Sequence, residues 1–120
     1  MKVAHLAGAA LAAALVTAPA LAANPPPAFG PCKACHSLEA GKKLVGPSLF
    51  GVYGKKAGSM EGFAYSDAFK KTATWTWDDE HLDKWLSGPS AVVPGTKMAF
   101  PGLKKPEDVK EVIEFLKTVK

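Results

Sequence analysis

The sequence predicts an all-α domain of about three to five short helices, joined by long loops that wrap around one bound group. Three observations carry this expectation. Apolar residues recur at helical spacing in two stretches, Leu82/Trp85/Leu86 and Val109/Val112/Ile113/Leu116/Val119. Between residues 37 and 71 the chain is punctuated by Gly41, Gly46-Pro47, Gly51, Gly54, Gly58 and Gly62. So long a loop is unusual in a compact domain unless it has something to enclose. The only two cysteines lie together, in Cys32-Lys33-Ala34-Cys35-His36.

That last stretch names the bound group. C-x-x-C-H is the spacing of a c-type haem attachment site. Two thiols three residues apart stand about one helical turn apart, so each can add to one of the two vinyl groups of a single haem. The imidazole that follows can then offer a ring nitrogen to the iron. The competing readings are weaker. A redox dithiol would be set in a βαβ pattern, and none is visible. A closed zinc site needs four ligands, and beyond the cysteines the chain offers only His36, His81 and His5.

Residues 1 to 22 read as a secretory signal: Lys2 in the n-region, an Ala/Leu-rich run from Leu6 to Val16, Pro19 to break it, and Ala20-Leu21-Ala22 as an A-x-A cleavage site. Cleavage after Ala22 leaves a domain over 23 to 120 and places it in the bacterial periplasm. The alternative, an uncleaved membrane anchor, is disfavoured by Pro19 and the A-x-A tail. A mature chain of about 98 residues has difficulty filling a core with side chains alone. A covalently held macrocycle supplies the missing apolar volume.

The elements follow in order. Pro27 opens a short N-terminal helix that Pro31 stunts. The apolar residues of the Gly-rich loop, among them Leu49, Val52, Phe63 and Tyr65, line a pocket. Ser66 caps a short helix ending at Lys71. A second helix is expected over Trp77 to Ser87, with Thr76 as N-cap, Asp78, Asp79 and Glu80 in its first turn, and Gly88-Pro89 as its stop. Ser90 to Gly102 is expected to be loop. The last helix starts at Pro106 and runs to about Val119, its apolar stripe packed into the core.

Met98 is the expected second axial ligand. It follows Pro94 and Gly95, a stiff and a permissive residue that let a loop press a thioether onto a metal. Met60 and His81 are the lesser candidates, and His81 reads as a solvated side chain on the acidic helix. With both axial positions filled by His36 and Met98, the iron exchanges electrons rather than binding substrate. The net charge of +4 comes entirely from lysine, with no arginine. That excludes a nucleic-acid partner and suits brief docking on acidic faces of redox proteins.

In combination the motifs resemble the class I monohaem c-type cytochromes, the group of mitochondrial cytochrome c and bacterial cytochrome c2. They are C-K-A-C-H-S at 32 to 37, G-P-S-L-F-G-V-Y-G at 46 to 54, G-F-A-Y-S at 62 to 66, Trp77, and P-G-T-K-M-A-F at 94 to 100. The resemblance covers roughly Phe29 to Lys117. It implies the class I cytochrome c fold, one haem c attached through Cys32 and Cys35, and His36 and Met98 as iron ligands. It further implies that the Pro47 carbonyl orients the haem histidine, and that Tyr65, Trp77 and Thr96 surround a haem propionate. Phe100 would lie beside the exposed haem edge, with Lys33, Lys97, Lys55 and Lys56 around it. Phe29 would pack on the helix around Phe115-Leu116.

Three departures from that pattern stand out. Lys55 stands where an arginine often supports a propionate, and lacks its planar fork. Trp85 stands where a tyrosine often bonds near the methionine sulfur, and an indole only donates. Pro25 and Pro31 interrupt the N-terminal helix, which would weaken its contact with the last one. The function implied is a soluble, monomeric one-electron carrier. The alternatives are an electron-transfer subunit held within a dehydrogenase or oxidase complex, and a haem enzyme with peroxidase or gas-binding activity.

Overall fold

A computed structural model describes residues 3–5, 7–14 and 23–120. The A-x-A site and half of the signal segment lie outside the described residues. Five helices and no strand form among those described. A 3-10 helix spans Pro27–Cys32, followed by α1 (Asp67–Thr72), α2 (Asp79–Ser87), α3 (Pro89–Val92) and α4 (Pro106–Leu116). The α4 helix packs against both α2 and the 3-10 helix, and α2 packs against α3.

Local chemistry explains most boundaries. Ser66 caps α1 by accepting from the Phe69 N–H at 3.0 Å. In α4, Pro106 opens the first turn with Glu107 and Asp108 beside it. Val109, Val112, Ile113, Phe115 and Leu116 form its buried face, and Val119 beyond its end is buried too.

Two expectations need correction. Helix α2 starts at Asp79, not Trp77, and its N-cap is Asp78, which accepts from the His81 N–H at 2.9 Å. The backbone of Trp77 is committed elsewhere. Its N–H donates to Lys55 O at 2.8 Å and its carbonyl accepts from Gly54 N–H at 2.7 Å. These bonds flank an isolated antiparallel bridge between Lys56 and Thr76 and hold the chain extended through Trp77. The second correction is α3, one turn inside the stretch expected to be loop. Gly88 breaks α2, and Pro89 then restarts a helix from its favoured first position.

The two prolines at the N-terminus do not loosen the terminal contact. The N-terminal helix is of the tighter 3-10 type, with Pro31 inside it. Phe29 is nonetheless 1% exposed, and its ring meets that of Phe115 edge-on at 4.9 Å.

The loop after Met98 returns to the end of α2. Leu103 N–H donates to Leu86 O at 2.7 Å. Gly102 makes this approach possible: its φ is +103°, and a Cβ there would lie 2.1 Å from Ser87 O.

Candidate haem site

The residues that carry chemistry face one cavity of about 630 Å³. That volume lies within the roughly 300–1,000 Å³ usual for small-molecule and cofactor sites. Cys32, Cys35, His36, Pro47, Tyr65, Trp77, Thr96 and Met98 all line it. They come from five separate stretches, gathered by the loops between helices. Phe29, Leu82, Trp85, Leu86, Val112 and Leu116 line it as well and belong to the hydrophobic core. The cavity therefore reaches into the core, with a mouth open to solvent.

The C-x-x-C-H stretch leaves the 3-10 helix as a tight turn, with Cys35 N–H and His36 N–H both donating to Cys32 O, at 3.2 and 2.9 Å. The two thiols are not bonded to each other, and Cys32 is buried. Burial, with a smaller contribution from Cys35, pushes the Cys32 thiol up. Reactive redox cysteines are instead held low, so the environment does not suit a dithiol oxidoreductase. Among the described residues no three His, Cys, Asp or Glu side chains converge where they could share a metal ion, as a closed zinc site requires.

His36 is fixed from behind. Its Nδ1 lies 2.7 Å from the Pro47 carbonyl, which makes Nδ1–H the donor. Burial lowers its pKa, and the Pro47 hydrogen bond only partly opposes this. The ring is thus neutral near pH 7, with the Nε2 lone pair unused. Gly46 completes the seat. Its N–H donates to Cys35 O at 2.7 Å, and a Cβ on Gly46 would lie 2.5 Å from His36 Cε1. Sequence reasoning passed over Gly46 as a turn residue, although its place just before Pro47 was the available signal. Gly46→Ala is expected to turn the imidazole out of line. The test is the yield of exported haem protein and its ligand-field spectrum, with wild-type values for both as the contradicting result.

The remaining lining residues sit as follows. Met98 lies in an irregular segment, its N–H 3.4 Å from Thr96 Oγ1. Met60 also lines the cavity, but its sulfur accepts from Ser48 N–H at 3.1 Å. The Tyr65 hydroxyl oxygen accepts from Met60 N–H at 3.1 Å, leaving its own hydrogen to donate. Trp77 and Trp85 are buried edge-to-face at 5.6 Å. The Lys55 ammonium reaches Phe50 O at 3.5 Å on the rim.

His81 differs from the solvated side chain expected of it. It stacks on Trp75 with centroids 5.3 Å apart and planes 10° apart, and its Nδ1 lies 2.7 Å from Asp78 Oδ1. Trp75, which the sequence reading did not single out, packs edge-on against Trp77 at 5.7 Å. His81 is clamped and does not line the cavity.

The family model for cytochrome c matches residues 22–120. The chain belongs to the cytochrome c family. It is 58% identical over 97 residues to cytochrome c2 iso-2 of Magnetospirillum fulvum, covering 81% of this chain and 100% of the relative. It is 54% identical over 95 residues to cytochrome c2 of Rhodoplanes tepidamans, covering 79% and 97%. Among solved structures, cytochrome cH from Methylobacterium extorquens superposes with a TM-score of 0.70 at 53% identity, covering 76% of this chain and 91% of that one. This cytochrome is a class I monohaem electron-transfer protein rather than an enzyme, and it works with partner redox proteins. The cofactor of the family is one covalent haem c. The residues present fit that group: an apolar cavity, two thiols on one wall, a neutral imidazole with a free Nε2, and a thioether facing the same space.

Proposed function

We propose that this cytochrome is a periplasmic one-electron carrier whose haem is attached through Cys32 and Cys35 and ligated by His36 and Met98. The observation that carries this reading is the convergence of both thiols, the Nδ1-anchored imidazole and Met98 on one core cavity. The bound group supplies a reversible one-electron couple, and thioether ligation raises its potential.

The chain's own residues do the rest. Pro47 holds the His36 proton on Nδ1 and so presents Nε2 as the donor. Ser48 N–H occupies the Met60 sulfur, leaving Met98 as the thioether free to ligate. Tyr65, Trp77 and Thr96 supply polar hydrogens on the propionate side. Leu82, Trp85, Leu86 and Phe69 exclude water from the cavity, so a change of charge within it reorganises little solvent.

Export follows from the signal segment, with cleavage after Ala22. The family match begins at residue 22, and the relative from Magnetospirillum fulvum is matched over its whole length by 97 residues of this chain. No described helix is long and apolar enough to cross a membrane. The mature chain acts as a soluble monomer.

Lys33 is exposed beside the cavity-lining Cys32, and the exposed Lys55, Lys56 and Lys97 stand on the cavity rim. They give the exit edge a positive rim that steers encounter with acidic faces of redox partners. Electron transfer to an acidic partner is expected to slow several-fold as ionic strength rises from about 0.01 M to 0.15 M, where the screening length shortens from about 30 to 8 Å. Stopped-flow rates against salt test this, and rates independent of salt would remove the docking proposal.

A further inference from the structure

The first residue after the A-x-A site is tied to the far end of the chain. Ala23 N–H donates to Thr118 Oγ1 at 3.2 Å. Thr118 can accept because its own hydroxyl hydrogen is spent on Phe115 O, at 2.7 Å. This meeting takes place at the C-terminal end of α4, where the helix dipole is negative. Ala23 shares a shallow groove there with Glu111 and Glu114 on the next turns back, and with Lys110 as the opposing charge. Glu114 also pairs with Lys117 at 2.8 Å.

In the precursor, Ala23 N is an amide with one hydrogen, already used. Hydrolysis of the Ala22–Ala23 bond changes that group. Water adds, the C–N bond breaks, the leader leaves as a carboxylate, and Ala23 gains an α-amino group that protonates to an ammonium. The ammonium has three donors and a positive charge, placed at a helix end beside Glu111, the groove carboxylate not already paired with Lys117.

We propose that removal of the leader creates a latch: the new α-ammonium of Ala23 seats on Thr118 and the acidic edge of α4, and fastens the N-terminus of the mature cytochrome to its last helix. The connection to the core is short and stiff. Pro25, Pro26 and Pro27 lead from the latch into the 3-10 helix, with Pro26 extended at φ −67° and ψ 158°. That helix delivers Phe29 to the same α4 helix at Phe115. Little conformational freedom remains to be lost when the ammonium seats. The latch rests on cleavage after Ala22.

The test uses the exported holoprotein. N-terminal sequencing comes first: any first residue other than Ala23 overturns the cleavage reading and the latch with it. Given Ala23, the pKa of the α-amino group is read from the pH dependence of its reductive methylation. It is expected about half a unit or more above the ordinary 7.7–8.0, and nearer the ordinary value in Thr118→Val and Glu111→Gln. A raised folded pKa adds stability that is complete below the unfolded pKa and is lost as pH rises through the folded one. The melting temperature is therefore expected to fall across that window, and to fall less in Thr118→Val. An ordinary pKa in the parent, or one unmoved by both substitutions, overturns the latch while leaving the cleavage site intact.

Discussion

Met98→Ala, exported and loaded with haem, is expected to bind carbon monoxide in its reduced form, whereas the parent protein does not. Met98 lines the core cavity within the Pro94–Phe100 segment. That segment is positioned by Gly95, whose φ of +85° only a glycine adopts freely, against Ala68. Removing the thioether leaves a coordination position with no side chain to fill it. The reduction potential is expected to fall by on the order of 0.1 V or more, part of the roughly 0.8 V range that axial ligands command. Met60→Ala is the control. Its sulfur is held by Ser48 N–H, so neither carbon monoxide binding nor the potential is expected to change. If Met60→Ala opens the iron and Met98→Ala does not, the ligand assignment is reversed.

A second large effect concerns folding. Without haem, for example as Cys32→Ala/Cys35→Ala made in the absence of the cofactor, the chain is expected to show no cooperative melting transition. The cavity is not peripheral to the core; Phe29, Leu82, Trp85, Leu86, Val112 and Leu116 pack around it. At about 24 cal/mol per Å³ of unfilled core volume, a cavity of about 630 Å³ corresponds to about 15 kcal/mol. Water entering the open mouth reduces that figure. Even half of it rivals the whole stability of about 5–15 kcal/mol that a small domain has. Calorimetry and near-UV circular dichroism measure this directly, and a sharp native-like transition in haem-free protein would contradict it.

What could be read from the chain alone was what local chemistry dictates. C-x-x-C-H is a contiguous signal, and its spacing carries its meaning without the fold. The α4 stripe and the Ser66 cap are likewise local, and each stands where periodicity and capping place it. The failures came where distant segments decide. Trp77 has helical neighbours and acids after it, yet Lys55 and Gly54 take its backbone hydrogen bonds. His81 looked like a fully solvated residue, whereas it stacks on Trp75 in the segment that leads into α2. Gly46 looked like a turn former, but its missing Cβ leaves space for the His36 ring, ten residues earlier. Pro25 and Pro31 read as damage to a helix, whereas a 3-10 turn absorbs Pro31 and still delivers Phe29 to Phe115.

The polar surface shows the same dependence on distant contacts. The Tyr53 hydroxyl donates to Asp79, and the Lys117 ammonium bonds Asp79 and Glu114 at 3.1 and 2.8 Å, lying 5.3 Å from the Tyr53 ring centroid. These bonds hold the Asp79 carboxyl below its ordinary range, the Tyr53 bond first and Lys117 second. They join the Gly-rich loop, the start of α2 and the end of α4, three elements whose proximity no spacing in the sequence discloses.

The axial pair is tested most directly by the absorption spectrum of the purified, exported protein in both oxidation states. The oxidised form is expected to show a weak far-red band from sulfur bound to iron, lost on reduction and unaltered by carbon monoxide at neutral pH. A coloured protein without that band, or one whose reduced spectrum shifts at once under carbon monoxide, would contradict ligation by His36 and Met98.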